Sequence, residues 1–581
     1  MRLLLSRDVA ALSGLWLIVT ACNLFKPYTI DDTAHLIIAD WILHHPLHPM
    51  SGPLNWNGTV EPIHATNQPH LYFYILAFWE KLFGASEIAL HGMQSLFSGG
   101  CIVLFHWIAR RLAPSCAVWL TAMLALDPAF IVSQNLMVDV PLLSCWLGFF
   151  ACLIRIVPAE RQHRRYLLAA SACSAAILVK YSSLVLIPIL LMSLVLERRL
   201  RQAWCLAVPL AVLGAWSLFN LHDYGGIHLQ TALHASVDSY DAAGPHDTSG
   251  QLLRTALWKL AKGARSWSIG VGALSCFGIF ALAQACPRAA NMIYALCLGG
   301  LLAFVLVVET GYLPTARSDD LLPAGFLLSG LLVLPCVLRP RRDPAMIYLQ
   351  AWIVLTSLFY ILTSPFIAAR HVLLVLPPIS LLVAVAGPIP GYAKSFGLSA
   401  TVLVSAGLCL SDFRLADFYR SEAATVRAML PAGAEIWTVG HWGWQYYATR
   451  NGIRELDLGA GQNETVARCA TAVGISRDKV AGLLNNTTTR LPDICLRLRS
   501  RFPDASQPRP GEYLIVPLQV AHEWPTYLRL RPVRKILSRL SPADPLCTGR
   551  AARFYNYGNW RGPWSISTDC NQEIDIFQVL K

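Results

Sequence analysis

The sequence is dominated by apolar segments that recur along most of its length and are separated by short basic clusters. A helix that spans a bilayer needs about 20 apolar residues, and somewhat fewer where flanking side chains reach the interface. Of the 581 residues, 55% are hydrophobic and only 14% are charged, whereas soluble domains carry about 25% charged residues. The mean hydropathy is +0.46. These features predict an integral membrane protein and exclude a single soluble globular enzyme, a disordered chain and a collagen-like chain.

The basic clusters predict the topology of these segments, because Lys and Arg are concentrated in cytoplasmic loops. The clusters lie at residues 110–111, 161–165, 198–201 and 339–342. If all four are cytoplasmic, an even number of spans separates each neighbouring pair. Thirteen spans satisfy this condition, with the N-terminus inside and the C-terminus outside. The predicted spans are residues 9–25, 88–108, 115–126, 140–157, 167–179, 184–196, 203–221, 267–285, 292–308, 321–338, 346–363, 372–386 and 398–410.

The formal net charge is +12, from 47 Lys and Arg against 35 Asp and Glu. A basic balance of this size can mark a nucleic-acid-binding surface. Here much of the surplus lies in short runs beside apolar segments, where it sets membrane topology. We therefore expect membrane lipids, and no nucleic acid, among the partners.

The predicted fold class is mainly α, a polytopic membrane protein with about 13 transmembrane helices and a C-terminal α/β soluble domain. The transmembrane domain is expected to comprise residues 1–411 and the soluble domain residues 412–581. The topology places the first outer loop (26–87), a later loop (222–265) and the soluble domain on the outer side. Within the first loop, residues 71–83 are predicted to form a short aromatic helix at the membrane interface.

The cysteines divide along the same boundary. Twelve of the sixteen lie in or beside apolar segments, where they behave as small hydrophobic residues. Two disulfides would form among the other four if the soluble domain faces an oxidising compartment, and free thiols are equally compatible with the sequence. These four are Cys469, Cys495, Cys547 and Cys570.

Three carboxylates lie at the predicted outer membrane surface. Asp31 and Asp32 follow the first span, and Asp139 lies where a later span enters the membrane. Ionisable residues at membrane depth are costly to bury and are therefore candidates for function. A carboxylate there can act as a general base or hold a divalent cation beside a phosphate. The alternative is helix capping, with Asp32 as an N-cap and Asp139 as an N-cap before Pro141.

The order and spacing of several motifs resemble the GT-C superfamily of polyprenyl-phosphate-sugar-dependent glycosyltransferases, above all the protein O-mannosyltransferases and the lipid A aminoarabinose transferases. Members begin with one span and an outer loop that opens with two acidic residues. A Lys-Pro-Pro-Leu-like element then precedes an aromatic helix that ends Lys-Leu-Phe-Gly. The similarity covers residues 9–190 well and 360–385 moderately. The matching elements are Asp31-Asp32, Gln68-Pro69-His70-Leu71, Lys81-Leu82-Phe83-Gly84, Ala109-Arg110-Arg111-Leu112, Met137-Val138-Asp139 and the stretch 369–377 around Arg370.

The resemblance implies transfer of a sugar from a polyprenyl-phosphate donor to a hydroxyl or amine of an acceptor. Asp31 would be the general base, and a single displacement would invert the anomeric carbon. Arg370 would bind the departing phosphate, because a guanidinium suits phosphate, with Lys180 as a weaker candidate. The alternative for Arg370 is an arginine that only reaches the interface. In relatives, a loop at the position of residues 222–265 covers the substrate, so a lid is expected there.

The chain departs from the family pattern before the proline of the second motif. Some relatives have Glu-Lys there, whereas this chain has Asn67-Gln68, which removes an acid and a cation. His64 and His70 lie nearby and could compensate, although solvated loop histidines are the more common case. The predicted site residues are Asp31 and Asp32 as catalytic, Asp139, Gln68, His70, Arg370 and Lys180 as substrate-binding, and Asp31, Asp139 and His64 as candidate ligands of a divalent cation, whose requirement the sequence leaves open.

The leading interpretation is an integral-membrane glycosyltransferase, a hexosyl- or pentosyltransferase of a bacterial inner membrane. Its acceptor would be a lipid, glycan or protein on the extracytoplasmic side. A membrane transporter or lipid flippase is one alternative, but it would need charged or broken helices near the bilayer midplane. A non-catalytic anchor that presents the soluble domain is another, in which the acidic residues only cap helices. Because the polar chemistry gathers at one surface, the sequence favours the enzyme.

Overall fold

The computed structural model describes most of the chain. Part of the predicted lid, with His234 and His246, lies outside the described residues, as do Cys495, Cys547 and Cys570. The described residues are 6–56, 58–66, 68–154, 162–233, 252–309, 315–364, 366–474, 476–480, 507–521, 524–539, 554–557, 561–565 and 571–580.

The described chain is mainly helical up to residue 429, and strands are concentrated after it, which confirms the predicted fold class. We call residues 430–581 the C-terminal region. The helices are α1 (Ser6–Asn23), α2 (Asp32–His44), α3 (Leu71–Phe83), α4 (Glu87–Leu112), α5 (Ala117–Ala125), α6 (Pro128–Ile131), α7 (Asp139–Leu153), α8 (Gln162–Val179), α9 (Leu186–Leu196), α10 (Ala207–Tyr224), α11 (Leu252–Leu274), α12 (Phe277–Ala285), α13 (Ala290–Glu309), α14 (Thr315–Leu331), α15 (Leu334–Leu338), α16 (Pro344–Thr363), α17 (Ala369–Leu373), α18 (Leu376–Ala386), α19 (Gly391–Met429), α20 (Trp442–Arg450) and α21 (Leu458–Val473).

Among the described residues, five helical segments are long and apolar enough to cross a membrane, and each coincides with a predicted span. A bent pair of helices adds a sixth if the pair counts as one span. The total of thirteen spans stays a prediction. The five segments are Glu87–Leu112, Leu200–Tyr224, Leu321–Leu338, Pro344–Thr363 and Gly391–Met429.

The predicted span 267–285 is not one straight helix. Leu257–Leu274 and Phe277–Ala285 meet at an angle of 92°. Glycines on both sides of this break lie directly against the backbone of α14. A Cβ added at Gly272 would be 1.9 Å from the carbonyl oxygen of Phe326, and one at Gly278 would be 2.0 Å from that of Ser329. Apolar composition, from which this span is predicted, records neither the break nor this close approach.

The C-terminal region contains a mixed sheet, which in its described residues has five strands in the order β4-β3-β5-β7-β6. Strand β3 pairs in parallel with both β4 and β5, whereas β7 is antiparallel to β5 and β6. An antiparallel pair, β1 with β2, lies in the first outer loop. The strands are β1 (Pro53–Asn55), β2 (Val60–Pro62), β3 (Ile436–Thr438), β4 (Arg454–Glu455), β5 (Tyr513–Pro517), β6 (Leu530–Arg539) and β7 (Asn571–Val579).

The two faces of this sheet belong to different buried clusters. On β5, Leu514 and Val516 pack in a cluster confined to the C-terminal region, whereas Ile515 belongs to the large core that also contains the helices. This alternation follows from the two-residue period of a strand. The sheet therefore packs against the helical part through one face.

Helix α19 connects the two parts without interruption. It runs from Gly391 to Met429 and so passes through the predicted domain boundary between residues 411 and 412. Asp412, the first residue of the predicted soluble domain, is 1% exposed within this helix. The limits of the two domains stay a prediction.

The contact between α11 and α14 yields a test of the packing. Gly272→Ala should lower the free energy of unfolding by about 1–3 kcal/mol, because the added methyl group must displace backbone. Gly299→Ala in α13 is the matched control, since nothing lies within 4 Å of its added Cβ. Thermal unfolding in detergent should show a lower midpoint for the first variant only. Equal midpoints would contradict the close packing.

Candidate active site

Asp31 lies in a strained turn at the start of α2. The preceding residue, Ile30, has a φ of +50°, which is unfavourable for a β-branched side chain. Such strain costs about 1–3 kcal/mol and persists only where surrounding contacts enforce it. The backbone N–H of Tyr28 donates to the hydroxyl of Tyr447 at 2.8 Å, and a Cβ added at Gly443 would be 2.1 Å from the carbonyl oxygen of Tyr28. Helix α20 of the C-terminal region therefore holds the turn that presents Asp31.

Asp32 is completely buried behind the same turn. Its carboxylate accepts the backbone N–H of Thr29 at 2.9 Å and that of Leu136 at 2.7 Å. The carbonyl of Leu136 accepts the Nδ1–H of His35 at 2.7 Å. Side chains of helix α2 thus bind both the N–H and the carbonyl of Leu136, which lies three residues before Asp139 in the sequence. The helix begins at Asp32 itself, so the capping alternative for this residue was wrong.

Four charged side chains converge next to this turn. Lys180 donates to Oδ1 of Asp139 at 2.9 Å. Arg370 lies 3.9 Å from Oδ2 of Asp139 and 3.9 Å from Oδ2 of Asp31. The side chains of Asp31, Arg370 and Lys180 are 11%, 13% and 14% exposed, whereas that of Asp139 is 1% exposed. The accessible part of the cluster is therefore one carboxylate and two cations.

Each member of this charged cluster comes from the end of a helical element. Asp31 precedes α2, Asp139 opens α7, Lys180 follows α8, and Arg370 is the second residue of α17. Helix ends are where an apolar chain reaches the membrane surface, so charged side chains can meet there without entering the apolar interior. Asp139 makes no capping hydrogen bond; its carboxylate is used by Lys180 instead.

Arg370 keeps its hydrogen-bonding capacity. Within the described part of the chain its guanidinium makes no hydrogen bond, and both of its ion pairs, at 3.9 Å, are longer than the 2.7–3.2 Å of an N–H···O bond. Its guanidinium carbon lies 5.8 Å from the centre of the Phe366 ring. The N–H donors are thus available to an anion.

Gln68 and His70 are placed differently. The His70 ring is buried, with its centre 5.0 Å from that of Phe73 and 6.1 Å from that of Trp216. Its Nδ1–H donates to the carbonyl of Gln68 at 3.1 Å. Burial, with the nearby His228, lowers the pKa of His70 to about 3, so the ring is neutral. In the described residues, no hydrogen bond or ion pair joins Gln68 or His70 to the charged cluster.

The structure does not bring the three candidate ligands of a divalent cation together in one described group. Asp31 and Asp139 face Arg370, and Asp139 is also paired with Lys180, so protein cations already lie against both carboxylates. His64 stacks on the ring of Tyr224, with 4.2 Å between the centres. Among the described residues, no group of three or more His, Cys, Asp and Glu side chains could hold a metal ion.

A second buried network behind the cluster was missed by the sequence analysis. Lys26 forms an ion pair with Asp412 and contacts Asn135. The hydroxyl of Tyr555 donates to Asp412 at 2.9 Å and accepts from Asn135 at 3.0 Å. The only sequence signal was the position of Lys26 and Asp412 just beyond predicted spans. No local pattern pairs residues so far apart in the chain.

One known protein family matches part of the chain. Residues 67–220 match the family model for dolichyl-phosphate-mannose-protein mannosyltransferase. The matched stretch contains Asp139 and Lys180 and lies between Asp31 and Arg370. It agrees with the resemblance to protein O-mannosyltransferases that the motifs indicate. No curated protein matches the chain.

Three of the solved structures that the chain matches share little sequence with it. ArnT from Cupriavidus metallidurans bound to undecaprenyl phosphate is 12% identical, with a TM-score of 0.46 over 98% of this chain and 97% of that chain. The archaeal oligosaccharyltransferase AglB from Archaeoglobus fulgidus, in complex with an inhibitory peptide and a dolichol-phosphate, is 11% identical, with a TM-score of 0.45 over 88% and 70%. The S. cerevisiae protein O-mannosyltransferase Pmt1-Pmt2 complex bound to the sugar donor is 14% identical, with a TM-score of 0.31 over 39% and 35%.

The buried carboxyl of Asp32 predicts a pH dependence of stability. Burial raises the pKa of Asp32 to about 7, although the Thr29 N–H and the Lys26 ammonium counteract part of the shift. The folded protein therefore holds this proton more tightly than the unfolded chain does. The resulting stabilisation is complete below the ordinary carboxyl pKa of about 4 and is lost as the pH rises through about 7.

Asp32→Asn removes this titration. The unfolding midpoint of the wild type, measured relative to Asp32→Asn in detergent, should therefore fall between about pH 4 and pH 7. Asp40 lies on the same helix but is 66% exposed. The unfolding midpoint of Asp40→Asn should therefore change with pH as that of the wild type does. A constant difference between wild type and Asp32→Asn across this range would contradict the raised pKa.

Proposed function

We propose that the protein is an integral-membrane glycosyltransferase that moves a sugar from a polyprenyl-phosphate donor to an envelope acceptor. The observation that carries this proposal is the partly exposed pair of Asp31 and Arg370, a base and a phosphate-binding group 3.9 Å apart. The family match over residues 67–220 supports the same class.

In the proposed reaction, an acceptor hydroxyl or amine attacks the anomeric carbon from the face opposite the phosphate. The new bond forms as the bond from this carbon to the phosphate oxygen breaks, and that oxygen keeps the electron pair. Asp31 accepts the proton of the acceptor on a carboxylate oxygen. A single displacement of this kind inverts the anomeric carbon.

Arg370 and Lys180 stabilise the phosphate. The guanidinium of Arg370 has free N–H donors and matches two phosphate oxygens in a bidentate arrangement. Lys180 is held by Asp139 at 2.9 Å and adds a second positive charge. Because both cations are in place before the phosphate leaves, they stabilise its developing charge without reorganisation.

Asp32 acts as a positioning residue in this scheme. Both of its oxygens are occupied by backbone N–H groups, and the side chain has no exposed surface. It connects the turn of Asp31 to Leu136 and so sets the distance between Asp31 and Asp139. His70, being buried and neutral, adds polarity but no charge to the donor site.

Asp31→Asn and Arg370→Gln should separate the two roles. Asp31→Asn keeps the size of the side chain but cannot accept a proton, so kcat should fall by about 100-fold or more while the donor KM changes little. Arg370→Gln should raise the donor KM by about tenfold or more, because it removes charged hydrogen bonds to phosphate. The measurement is transfer from radiolabelled undecaprenyl-phosphate sugars to an envelope extract by purified protein in detergent.

Asp40→Asn is the control for this experiment, because Asp40 lies on the same helix as Asp32 and is 66% exposed. Its kinetics should equal those of the wild type. Wild-type turnover in Asp31→Asn would remove Asp31 as the base. An unchanged donor KM in Arg370→Gln would remove Arg370 as the phosphate-binding group.

We also propose that the site and the C-terminal region face the extracytoplasmic side of a bacterial inner membrane. Cys469 of α21 is disulfide-bonded, whereas the other twelve cysteines that the structure describes are free. Disulfides persist in oxidising compartments and are rare in the cytosol. The basic clusters between the apolar segments support the same orientation.

The oxidation state of Cys469 tests this orientation. In cells with normal periplasmic thiol oxidation, Cys469 should resist alkylation under denaturing conditions until a reductant is added. In a strain that lacks this oxidation system, it should be alkylated directly. Mass spectrometry of the peptide gives the readout, with the free and exposed Cys286 as the control in both strains. Direct alkylation in normal cells would contradict the proposal.

A further inference from the structure

Four residues of the C-terminal region, Phe554–Tyr557, lie against the backbone just before Arg370. The N–H of Ala369 donates to the carbonyl of Phe554 at 3.1 Å, and the N–H of Tyr557 donates to the carbonyl of Ile367 at 3.0 Å. Ile367 and Tyr557 form an antiparallel bridge. The turn that carries Arg370 is thus held by two backbone hydrogen bonds to a segment that is distant in sequence.

Between these two backbone contacts, Tyr555 reaches into the buried network around Lys26. Its hydroxyl donates to Asp412 of α19 at 2.9 Å and accepts from Asn135 at 3.0 Å. Tyr555 is 3% exposed and Asn135 is fully buried. Asn135 precedes Leu136, whose N–H binds Asp32. One hydroxyl therefore connects the Arg370 side of the cluster to the Asp31 side.

Two aromatic residues of the C-terminal region also contact helix α11. A Cβ added at Gly270 of α11 would be 1.8 Å from the Tyr557 hydroxyl, and the indole N–H of Trp564 donates to the carbonyl of Ala273 at 2.8 Å. Buried polar networks are rigid when every member is satisfied, and loss of one member leaves its partners unpaired. Removal of the Tyr555 hydroxyl therefore loosens the connection on which the Arg370 turn rests.

We propose that Tyr555 is a positioning residue for the donor phosphate. Through its contacts with Asp412 and Asn135, and through the strand-like pairing of its neighbours with residues 367–369, it fixes Arg370 relative to Asp31. The C-terminal region thereby sets the affinity for the lipid phosphate without contacting it. This inference rests on the proposed function, in which Arg370 binds that phosphate.

The test is a double-mutant cycle with Tyr555→Phe and Arg370→Gln. The probe is undecaprenyl phosphate, and its binding to the purified full-length protein in detergent is followed by tryptophan fluorescence. Tyr555→Phe should weaken binding about fivefold, the factor expected for one lost hydrogen bond. In the Arg370→Gln background, the same change should alter binding by less than about twofold, because the residue acts through Arg370.

Tyr419→Phe is the matched control. Tyr419 is also a buried residue of the interface between α19 and the C-terminal region, and its hydroxyl donates to Gln572 at 2.8 Å. It should lower the unfolding midpoint to a similar degree as Tyr555→Phe and leave binding of undecaprenyl phosphate unchanged. Equal effects of the two Tyr→Phe changes on binding would show a general structural role and overturn the proposal.

The remaining outcomes separate this inference from the proposed function. If Arg370→Gln weakens binding but Tyr555→Phe does not, only the role of Tyr555 is overturned. If the effects of the two changes are additive, Tyr555 does not act through Arg370 and the proposal is likewise overturned. If Arg370→Gln binds as the wild type does, the phosphate-binding role of Arg370 fails, and the positioning role of Tyr555 fails with it.

Discussion

The ion pair between Lys26 and Asp412 is the interaction on which the arrangement of the site depends. Their side chains are 3% and 1% exposed, and they join the chain just after α1 to the middle of α19. A buried pair stabilises a fold only when further hydrogen bonds satisfy the remaining donors and acceptors. The ammonium of Lys26 also donates to the carbonyl of Val132 and to the side chain of Asn135. The carboxylate of Asp412 also accepts the hydroxyl of Tyr555. The pair thus specifies one relative position for four distant segments.

Charge compensation explains how the charged cluster of Asp31, Asp139, Lys180 and Arg370 can exist with little exposure to solvent. Two carboxylates and two cations alternate along it, so it is neutral without a metal ion or substrate. The guanidinium of Arg370 lies 3.9 Å from the carboxylates of both Asp31 and Asp139. This distance is too long for a hydrogen bond to either. In the proposed reaction, a phosphate that takes these N–H donors also draws the guanidinium from Asp31 and leaves that carboxylate able to accept a proton. Binding of the donor and preparation of the base are therefore one event.

The sequence predicts the helices, the charged cluster and the buried network around Lys26 to different degrees. Apolar runs and basic clusters predict the helices well, since both properties are local, but the 92° bend after Leu274 depends on contacts with α14. The motifs around Asp31, Asp139 and Arg370 name residues that the fold brings together with Lys180. The same reasoning predicts Asp32 as catalytic and His70 as substrate-binding, but it does not reveal that both side chains are buried. The residues Asn135, Asp412 and Tyr555 carry no motif, and only the tertiary structure relates them.

The C-terminal region holds both halves of the site through separate contacts. Helix α20 fixes the strained turn at Ile30 that presents Asp31, and residues 554–557 bind the backbone of residues 367–369, next to Arg370. A strained conformation must be enforced by its surroundings, and charged groups that act together need a fixed separation. Because the C-terminal region contacts both turns, it gives Asp31 and Arg370 a common frame, and in the proposed reaction it is therefore part of the catalytic apparatus.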